Sequence, residues 1–308
     1  MIEYFSVIHK MATNARMEND FSFIRALVAV FDIIRDVTPY QNLISDSLLI
    51  RDTVTLLRAF GGKASAVSIV DFVMKIRRPQ PELAKLLVAD LIDRDPRLRL
   101  NGDTVELTEN WLDETSFMDT DFVVFDLETT GSKTPGCRIT EIGAYRVKGA
   151  EVTESYHTLV NPETPIPFFI TQLTGINDEM VKDAPPFRDI AHELLNFIGD
   201  SILVAHNSGF DMRFLNHEIG RIFPDYRIAN PCLCTVQLSR KLLPDILNHK
   251  LKTVAEHYSI DFNHHRADED ARATAHIFVN LLAKLQDGGV NDLARLRRMS
   301  SRRHRYVR

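Results

Sequence analysis

The sequence contains few cysteines: Cys137, Cys232 and Cys234 are the only three in 308 residues. So small a number argues against a disulfide framework and favours a reducing compartment. Cys232 and Cys234 form a C-x-C pair, but no second pair completes the four ligands of a structural zinc site. We therefore interpret both as small side chains close to a strand.

Long apolar runs and an excess of basic charge are also missing. The apolar stretches fall well short of the about 20 residues that a membrane-spanning helix needs. The start, MIEYFSVIHK, lacks the basic and apolar regions of a signal peptide, so we expect a cytoplasmic protein without membrane contacts. A formal net charge of −5 argues against coating nucleic acid by bulk charge, but it allows a local phosphate site built around metal ions.

The composition is that of a soluble globular protein, with 44% hydrophobic and 26% charged residues and a length that suits about two domains. Changes in periodicity along the chain predict five segments. They are an N-terminal helical segment (1–44), a winged-helix-like domain (45–109), a linker (110–118), an α/β domain (119–286) and a basic C-terminal tail (287–308).

The second segment reads as three helices followed by a β-hairpin around the Asn-Gly pair of RLRLNGDTVELTE. This order of elements resembles a winged-helix domain, a variant of the helix-turn-helix that is often found on DNA. Its third helix carries Lys85 and Arg94, but also three acids, Glu82, Asp90 and Asp93. Because that balance does not suit a phosphate-facing surface, we favour a protein-contact or structural role over DNA binding.

The basic tail leaves two interpretations open. From Arg295 onward the sequence reads RLRRMSSRRHRYVR. Blocks of like charge are usually solvated and disordered. The same block could also act as an electrostatic arm for nucleic acid.

The segment from residue 119 to 286 has an α/β pattern. FVVFDLE, ITEIGAYRVKG and EVTESYHTLVN predict three successive strands, and SILVAHN predicts a short buried strand between helices. DEDARATAHIFVNLLAKLQ predicts the closing helix. This pattern indicates one central mixed sheet flanked by helices.

Two acids stand at the end of the first of these strands. Asp126 and Glu128 are two positions apart and therefore emerge on the same face, near the carboxyl edge of the sheet. Neighbouring carboxylates repel each other, and burial adds a desolvation penalty. A divalent cation such as Mg²⁺ or Mn²⁺ would relieve both effects. The alternative is a pair of solvated acids at a strand terminus.

A third acid, Asp211, falls in the first turn of the helix that follows ILVAHN. Ser208 is positioned to cap that helix, and an acid in the first turn is stabilised by the helix dipole. Acids are common at such positions, so Asp211 alone is weak evidence for a site.

A fourth acid opens the last helix, in HHRADEDARATAHIFVNLL. The apolar residues along its face predict that Asp270 points inward and that Asp268 and Glu269 point toward solvent. His265 precedes Asp270 by five positions, and His264 competes with it for any role in the same site.

Together, FDLETTG, HNSGFDMRFL and HRADED resemble the three motifs of the DEDDh-type (DnaQ-like) 3′-to-5′ exonuclease superfamily, in order and at fitting spacing. The resemblance covers residues 120–285, and ITQLTGINDEMV is similar to the segment that packs against the terminal base in that family. It implies a ribonuclease H-like fold, preceded here by an additional domain. Asp126, Glu128, Asp211 and Asp270 would then bind two Mg²⁺ or Mn²⁺ ions, and His265 would be the general base.

The resemblance also implies substrate contacts. The backbone at Thr129 and Thr130 would approach the terminal nucleotide, with Gly131 allowing a tight turn. Leu173 and Thr174 would meet its base or sugar. The groove for the penultimate nucleotide would be formed by His206, Asn207 and Phe210. Core packing is the alternative role for Leu173 and Phe210.

We therefore predict a metal-dependent enzyme that releases 5′-mononucleotides from single-stranded or frayed 3′ ends. DNA in proofreading or repair is the favoured substrate, and RNA 3′-end trimming is the alternative. A third hypothesis is a catalytically idle adaptor for nucleic-acid complexes. Any DNA polymerase or repair complex would be a separate partner, with the N-terminal domain as the candidate contact.

Overall fold

In the computed structural model, residues 40–93, 95–108 and 115–301 are described. Most of the predicted N-terminal helical segment, Arg94, residues 109–114 around the predicted linker and the last seven residues lie outside them. Within the described ranges, no helix combines the length and the apolar character needed to cross a membrane.

The first part of the described chain consists of short elements. They are β1 (Leu43–Ser45), α1 (Leu48–Ala59), β2 (Lys63–Ser65), α2 (Ala66–Phe72), α3 (Pro81–Ile92), β3 (Leu98–Asn101) and β4 (Thr104–Leu107). The Ser47 side chain caps α1 by accepting the backbone N–H of Ile50, and Pro81 opens α3, where a missing N–H costs nothing.

The three predicted helices and the hairpin occur in the predicted order, with two differences. Strand β2 was not predicted, and it joins the hairpin in a three-stranded sheet of order β2-β4-β3. Helix α2, which the stretch SAVSIVDFVMKI predicts to run to Ile76, ends at Phe72, and Lys75 adopts a positive φ of 61° shortly after it. Assignment of this region to the winged-helix class stays a prediction.

The second part is longer and contains the large sheet. Its elements are β5 (Phe122–Thr129), β6 (Ile139–Lys148), β7 (Glu151–Leu159), α4 (Phe168–Thr174), α5 (Asp178–Val181), α6 (Phe187–Ile198), β8 (Ile202–Ala205), α7 (Gly209–Ile222), β9 (Tyr226–Ile228), β10 (Cys232–Cys234), α8 (Thr235–Leu242), α9 (Leu251–His257), α10 (Ala267–Asp287) and α11 (Leu293–Ser300).

Five of these strands form one mixed sheet in the order β10-β8-β5-β6-β7. Strand β5 pairs in parallel with β8 and antiparallel with β6. The predicted mixed sheet is therefore confirmed, and β5, which ends in two acids, lies at its centre. Cys232 and Cys234 belong to edge strand β10, so their interpretation as residues near a strand is also correct.

Alternation along β5 assigns its side chains to two different cores. Val123, Phe125 and Leu127 pack in the layer that contains α6 and α7. Phe122 and Val124 pack in the layer that contains α10. Because side chains two positions apart share a face, Asp126 and Glu128 continue the second series and face the start of α10.

Three predicted segments differ from the structure. Leu43–Ser45, at the end of the predicted N-terminal helical segment, is a strand that pairs with β9. Phe117, placed in the predicted linker, is buried in the core beside α10. Part of the predicted basic tail forms α11, whose Leu293 and Leu296 are buried. Its three arginines, at positions 295, 297 and 298, outnumber the two buried leucines and obscure the apolar spacing of α11.

Candidate active site

Four carboxylates from three separate elements meet at the carboxyl edge of the sheet. Oxygen atoms of Asp126, Glu128 and Asp270 lie within 4.8 Å of one another. Asp211 is buried in the first turn of α7, close enough to Leu127, the residue between the two acids of β5, for the Leu127 backbone N–H to act on its pKa. Asp211 is also close enough to Asp126 for its charge to raise the pKa of Asp126.

The carboxylates of this site are buried close together, which disfavours their charged forms unless a cation is bound. Burial, followed by the charges of the neighbouring acids, raises the pKa of Asp126 well above its usual value and that of Glu128 to about 8. Burial likewise raises the pKa of Asp211 to about 7 and that of Asp270 above its usual value. Clustered carboxylate oxygens are the ligands that Mg²⁺ and Mn²⁺ prefer, so these residues fit such ions.

The start of α7 differs from its prediction in one respect. Ser208 precedes the helix but adopts a right-handed helical conformation, and its side chain makes no capping hydrogen bond. The backbone N–H groups of Leu127 and of Asp211 itself lower the pKa of the Asp211 carboxyl, but burial has the larger effect and raises it.

Both histidines of the HHRADED motif lie at Asp270. The Nδ1 atom of His264 is 2.9 and 3.0 Å from the two carboxylate oxygens of Asp270. His265 donates its backbone N–H to Asp270 at 3.3 Å, and the two imidazole rings stack with centroids 4.0 Å apart. A cation bound by Asp270 would compete with His264 for the same oxygens.

The surroundings of His265 favour the neutral ring that a general base needs. Burial and the nearby His264 lower its pKa, whereas Asp270 acts in the opposite direction. The ring is therefore neutral at pH 7 and able to accept a proton. Its φ of 72° places the backbone in the left-handed region, which turns the chain into α10.

The two other acids of the motif point away from the carboxylate cluster. Asp268 is half-buried rather than solvated, and it accepts the hydroxyl of Tyr145 at 2.7 Å. Glu269 pairs with Arg272 at 2.7 Å on the outer side of α10. Asp270 is the buried one of the three, as its periodicity predicts.

A buried network around Glu141 was missed in the sequence. Glu141 lies opposite Glu128 on β6 and is fully buried. Its carboxylate accepts hydrogen bonds from the Arg266 guanidinium at 2.6 Å and from the backbone N–H of Ala267 at 2.9 Å. It also pairs with the Nε2 atom of His157 at 2.8 Å. Burial alone would raise the pKa of Glu141, but these donors lower it. The position of Glu141 within the apolar run ITEIGA could have indicated a buried, paired carboxylate.

We expect Glu141→Gln to loosen the start of α10. The amide cannot accept hydrogen bonds from Arg266, Ala267 and His157 together, so the free energy of unfolding should fall by about 1–3 kcal/mol. Nuclease activity should fall with it, because Asp270 and His265 flank Arg266 closely in the chain. Urea denaturation measures the loss, with Glu154→Gln, an exposed partner of Arg146, as the matched control. Equal stability of the two variants would show that the network does not hold α10.

Gly143 allows α10 to approach the sheet. It pairs with Asp126 across the β5–β6 ladder. A Cβ atom on Gly143 would lie 2.6 Å from the Cα of Asp268 and closer still to the carbonyl oxygen of Ala267. Both are backbone atoms at the start of α10, so they cannot move aside independently.

Gly143→Ala is therefore expected to push α10 away from β5 and to separate Asp270 from Asp126. Overpacking of this kind typically lowers the free energy of unfolding by about 1–3 kcal/mol. Thermal unfolding checks the effect. Gly220→Ala, inside α7, is the control, since the nearest atom to its added Cβ is 3.9 Å away. A Gly143→Ala protein as stable as wild type would contradict the close packing.

The residues predicted to meet the terminal nucleotide fall into two groups. Thr129 and Thr130 are buried, and their hydroxyls bond to the carbonyl of Gly131 and the backbone N–H of Arg138. These side chains hold the turn after β5, which leaves the backbone as the candidate contact. Gly131 is required because a Cβ there would lie 2.7 Å from the Sγ of Cys137, and it shows no positive φ.

Leu173 is 51% exposed on α4, so core packing does not explain it. Thr174 is buried, and its hydroxyl donates to the carbonyl of Ile170 within the same helix. Phe168 and Phe169 are also exposed on this short helix. The structure thus leaves Leu173 accessible to a ligand and Thr174 inaccessible.

The residues predicted for the penultimate nucleotide also differ in accessibility. Both ring nitrogens of His206 contact protein groups, the Thr235 hydroxyl at 2.9 Å and the carbonyl of His249 at 3.0 Å. This arrangement leaves His206 no free ring nitrogen for a nucleotide. Asn207 is exposed, and half-buried Phe210 packs on Phe214 with ring centroids 4.8 Å apart. Asn207 and part of the Phe210 ring remain accessible.

An acidic centre at the carboxyl edge of a five-stranded mixed sheet flanked by helices defines a ribonuclease H-like protein. A family described as "Exonuclease" matches residues 123–278, half of the chain. This chain belongs to the exonuclease family.

Relatives extend the comparison. A DNA polymerase III PolC-type protein of Caldanaerobacter subterraneus subsp. tengcongensis is 42% identical over 177 residues, 57% of this chain and 12% of that relative. The DNA polymerase III subunit epsilon of Aquifex aeolicus is 36% identical over 198 residues, 64% of this chain and 95% of that relative. This chain therefore spans only a small part of the PolC-type proteins it matches.

Among solved structures, Exonuclease I of E. coli in complex with a dT13 oligonucleotide has a TM-score of 0.50 and 16% identity. The match covers 56% of this chain and 43% of that chain. At that identity the likeness supports the fold alone.

Proposed function

We propose that this protein is a metal-dependent 3′-to-5′ exonuclease that releases 5′-mononucleotides, with DNA as the favoured substrate. The observation that carries the proposal is the convergence of Asp126, Glu128, Asp211 and Asp270, whose raised pKa values require either protons or cations. A buried acidic centre without a ligand would only destabilise the fold. Two divalent cations, when bound there, would activate a water molecule and stabilise the leaving 3′ oxygen of the scissile phosphodiester.

Each protein group has a defined task in this proposal. The four carboxylates hold the cations, and Glu141 keeps the first turn of α10 in place through Arg266 and Ala267. His265 takes a proton from the attacking water, since its lowered pKa keeps the ring neutral at pH 7. His264 holds Asp270 until a cation takes over the carboxylate oxygens.

The proposed substrate and partner rest on the relatives. Both reported relatives are named as DNA polymerase III proteins, which favours DNA over RNA and a proofreading or repair role over RNA trimming. A DNA polymerase or repair complex is accordingly the proposed partner. We retain the N-terminal domain as its candidate contact.

A direct assay separates the alternatives. Strands of DNA and of RNA, each labelled at the 5′ end, are incubated with the protein and Mg²⁺ or Mn²⁺. A ladder of progressively shorter labelled products, faster on DNA and absent with EDTA, is the expected result. Faster RNA shortening would favour end trimming. Full-length strands under every condition would favour the adaptor hypothesis.

Metal binding should also change stability in a pH-dependent way. Because the folded pKa values of these acids are raised, the four carboxylates bind more protons in the metal-free folded chain than in the unfolded chain above about pH 4. Their contribution to stability should therefore fall as the pH rises from about 4 to about 8, the raised pKa of Glu128.

Saturating Mg²⁺ should raise Tm at pH 8 by about 5–10 °C, and by much less at pH 5, where protons already neutralise the acids. Differential scanning calorimetry at both pH values measures this. The expected control result is no Mg²⁺ effect in Asp126→Asn. An identical shift in that variant would place the cation elsewhere.

A further inference from the structure

Two histidines and one aspartate form a second group of possible metal ligands beside the carboxylate cluster. One nitrogen atom each of His264 and His265 and one carboxylate oxygen of Asp270 all lie within 4.8 Å of one another. In the part of the chain that the structure describes, the only other such group of three is Asp126, Glu128 and Asp270. The two groups share Asp270 but differ in the chemistry of their remaining ligands.

The backbone at His265 brings both rings to the same side of the loop. Its φ of 72° lies in the left-handed region, which is uncommon for residues other than glycine. The rings of His264 and His265 stack, with centroids 4.0 Å apart and planes inclined by 19°. In an extended chain the two side chains would point in opposite directions, and only one of them would face Asp270.

Further contacts hold the loop and the His264 ring in place. Glu269, in the first turn of α10, accepts the backbone N–H of Asn263 at 3.3 Å. The Phe262 ring meets the His264 ring edge to face, with centroids 5.3 Å apart, and His265 stacks on the same ring. These contacts reduce the conformational freedom that His264 would lose on binding a ligand.

The distances at Asp270 suit a metal ion between the carboxylate and the ring. The Nδ1 atom of His264 is 2.9 Å from one carboxylate oxygen and 3.0 Å from the other. Two ligand atoms on a tetrahedral Zn²⁺ ion are about 3.3 Å apart, since each bond is about 2.0–2.1 Å long. A small widening would therefore admit the ion. A neutral imidazole can carry its proton on Nε2 and offer Nδ1 to the metal, and rotation of the half-buried His265 ring would supply the third ligand.

The two groups favour different metals. Mg²⁺ prefers oxygen ligands in octahedral geometry, so it suits the carboxylates. Two imidazoles and one carboxylate form a ligand set that suits Zn²⁺ and related transition metals, with the remaining position open to water. His264 is exposed, which gives an ion access from solvent.

We propose that His264, His265 and Asp270 form an inhibitory site for a transition-metal ion, with Zn²⁺ as its representative. The inhibition rests on the proposed exonuclease function, whereas binding of the ion does not. An ion held there would occupy the nitrogen of His265, the proposed base, and withdraw Asp270 from the carboxylates that hold Mg²⁺. Mg²⁺ competes only for Asp270, so Zn²⁺ should stop strand shortening even when Mg²⁺ is in excess.

The test measures binding of Zn²⁺ to the full-length, metal-free protein by isothermal titration calorimetry. His264→Asn keeps a hydrogen-bond donor for Asp270 but removes the imidazole, and His265→Asn provides a second variant. His276→Ala, which removes an exposed histidine of α10, is the matched control. Asp126→Asn weakens the carboxylate cluster instead. Strand shortening at saturating Mg²⁺ is measured in parallel with increasing Zn²⁺, and each protein is compared with its own rate without Zn²⁺.

Each asparagine variant at the two histidines should raise the Kd for Zn²⁺ by at least about 100-fold, because loss of a group that only orients a ligand already costs about 10–100-fold. His276→Ala and Asp126→Asn should change this Kd far less. Zn²⁺ should abolish strand shortening by wild type, and His264→Asn should tolerate correspondingly more Zn²⁺.

Three results would overturn the proposal. They are a Kd for Zn²⁺ that is unchanged in both histidine variants, a loss of binding confined to Asp126→Asn, which would place the ion among the carboxylates, and bound Zn²⁺ that does not slow strand shortening. Failure of the proposed function looks different, because wild type would then shorten no strand in Mg²⁺ alone, whatever the Kd values for Zn²⁺.

Discussion

Asp126→Asn should lower kcat for strand shortening by about 10³-fold or more while making the metal-free protein more stable. The catalytic loss follows because Asp126 is the acid most closely surrounded by the other three carboxylates, and loss of one preorganised electrostatic group alone costs about 10²–10³ in rate. The gain in stability follows because an amide needs neither the proton nor the cation that a buried carboxylate in this cluster requires, and the unfolded chain would release that proton at neutral pH.

The opposite signs of these two effects make the prediction specific. A residue with only a structural role would lower stability and activity together. Single-turnover kinetics and thermal unfolding in EDTA measure both quantities on one protein preparation. Asp189→Asn, which removes an exposed acid on α6, serves as the matched control and should change neither. A less stable Asp126→Asn protein would contradict the account of the cluster.

His265→Ala should lower kcat by about 10²–10⁴-fold, the usual contribution of a general base. His264→Ala should have a much smaller effect, because His264 holds Asp270 only until a cation binds. The two variants are matched, since the rings are adjacent, stacked and both close to Asp270.

The pH profile distinguishes the two histidines further. A base must be neutral, and the lowered pKa of His265 should keep wild-type activity high as the pH falls toward 6.5, with a decline below it. With the metal concentration kept saturating at each pH, so that protonation of the carboxylates does not limit the rate, the residual activity of His265→Ala should lack that decline, whereas His264→Ala should keep it. The reverse outcome would assign the base to His264.

Much of the site could be predicted because the relevant patterns are local. The alternation along β5 places Asp126 and Glu128 on one face, and the apolar face of α10 directs Asp270 inward. Glu128, Asp211 and Asp270 also lie at the start or end of an element, where α/β proteins place their sites. The order of the three motifs then indicates one centre, which the structure forms.

The remainder depends on contacts between residues distant in sequence. Glu141 and Arg266 are 125 positions apart, and only the packing of α10 on β6 brings them together. The hydrogen bonds that occupy the His206 ring depend on Thr235, in α8, and on His249, in the loop before α9. Neither pairing leaves a periodic signal. Helix α11 was missed for a compositional reason, since its arginines outweigh its two buried leucines.

The central claim is that the four carboxylates jointly bind divalent cations. Anomalous diffraction from crystals grown with Mn²⁺ tests it most directly, because the Mn²⁺ signal locates each ion independently of the protein. We predict two anomalous peaks among Asp126, Glu128, Asp211 and Asp270, with both peaks lost in Asp126→Ala. An empty carboxylate cluster at saturating Mn²⁺, or peaks bound only elsewhere on the chain, would contradict the claim.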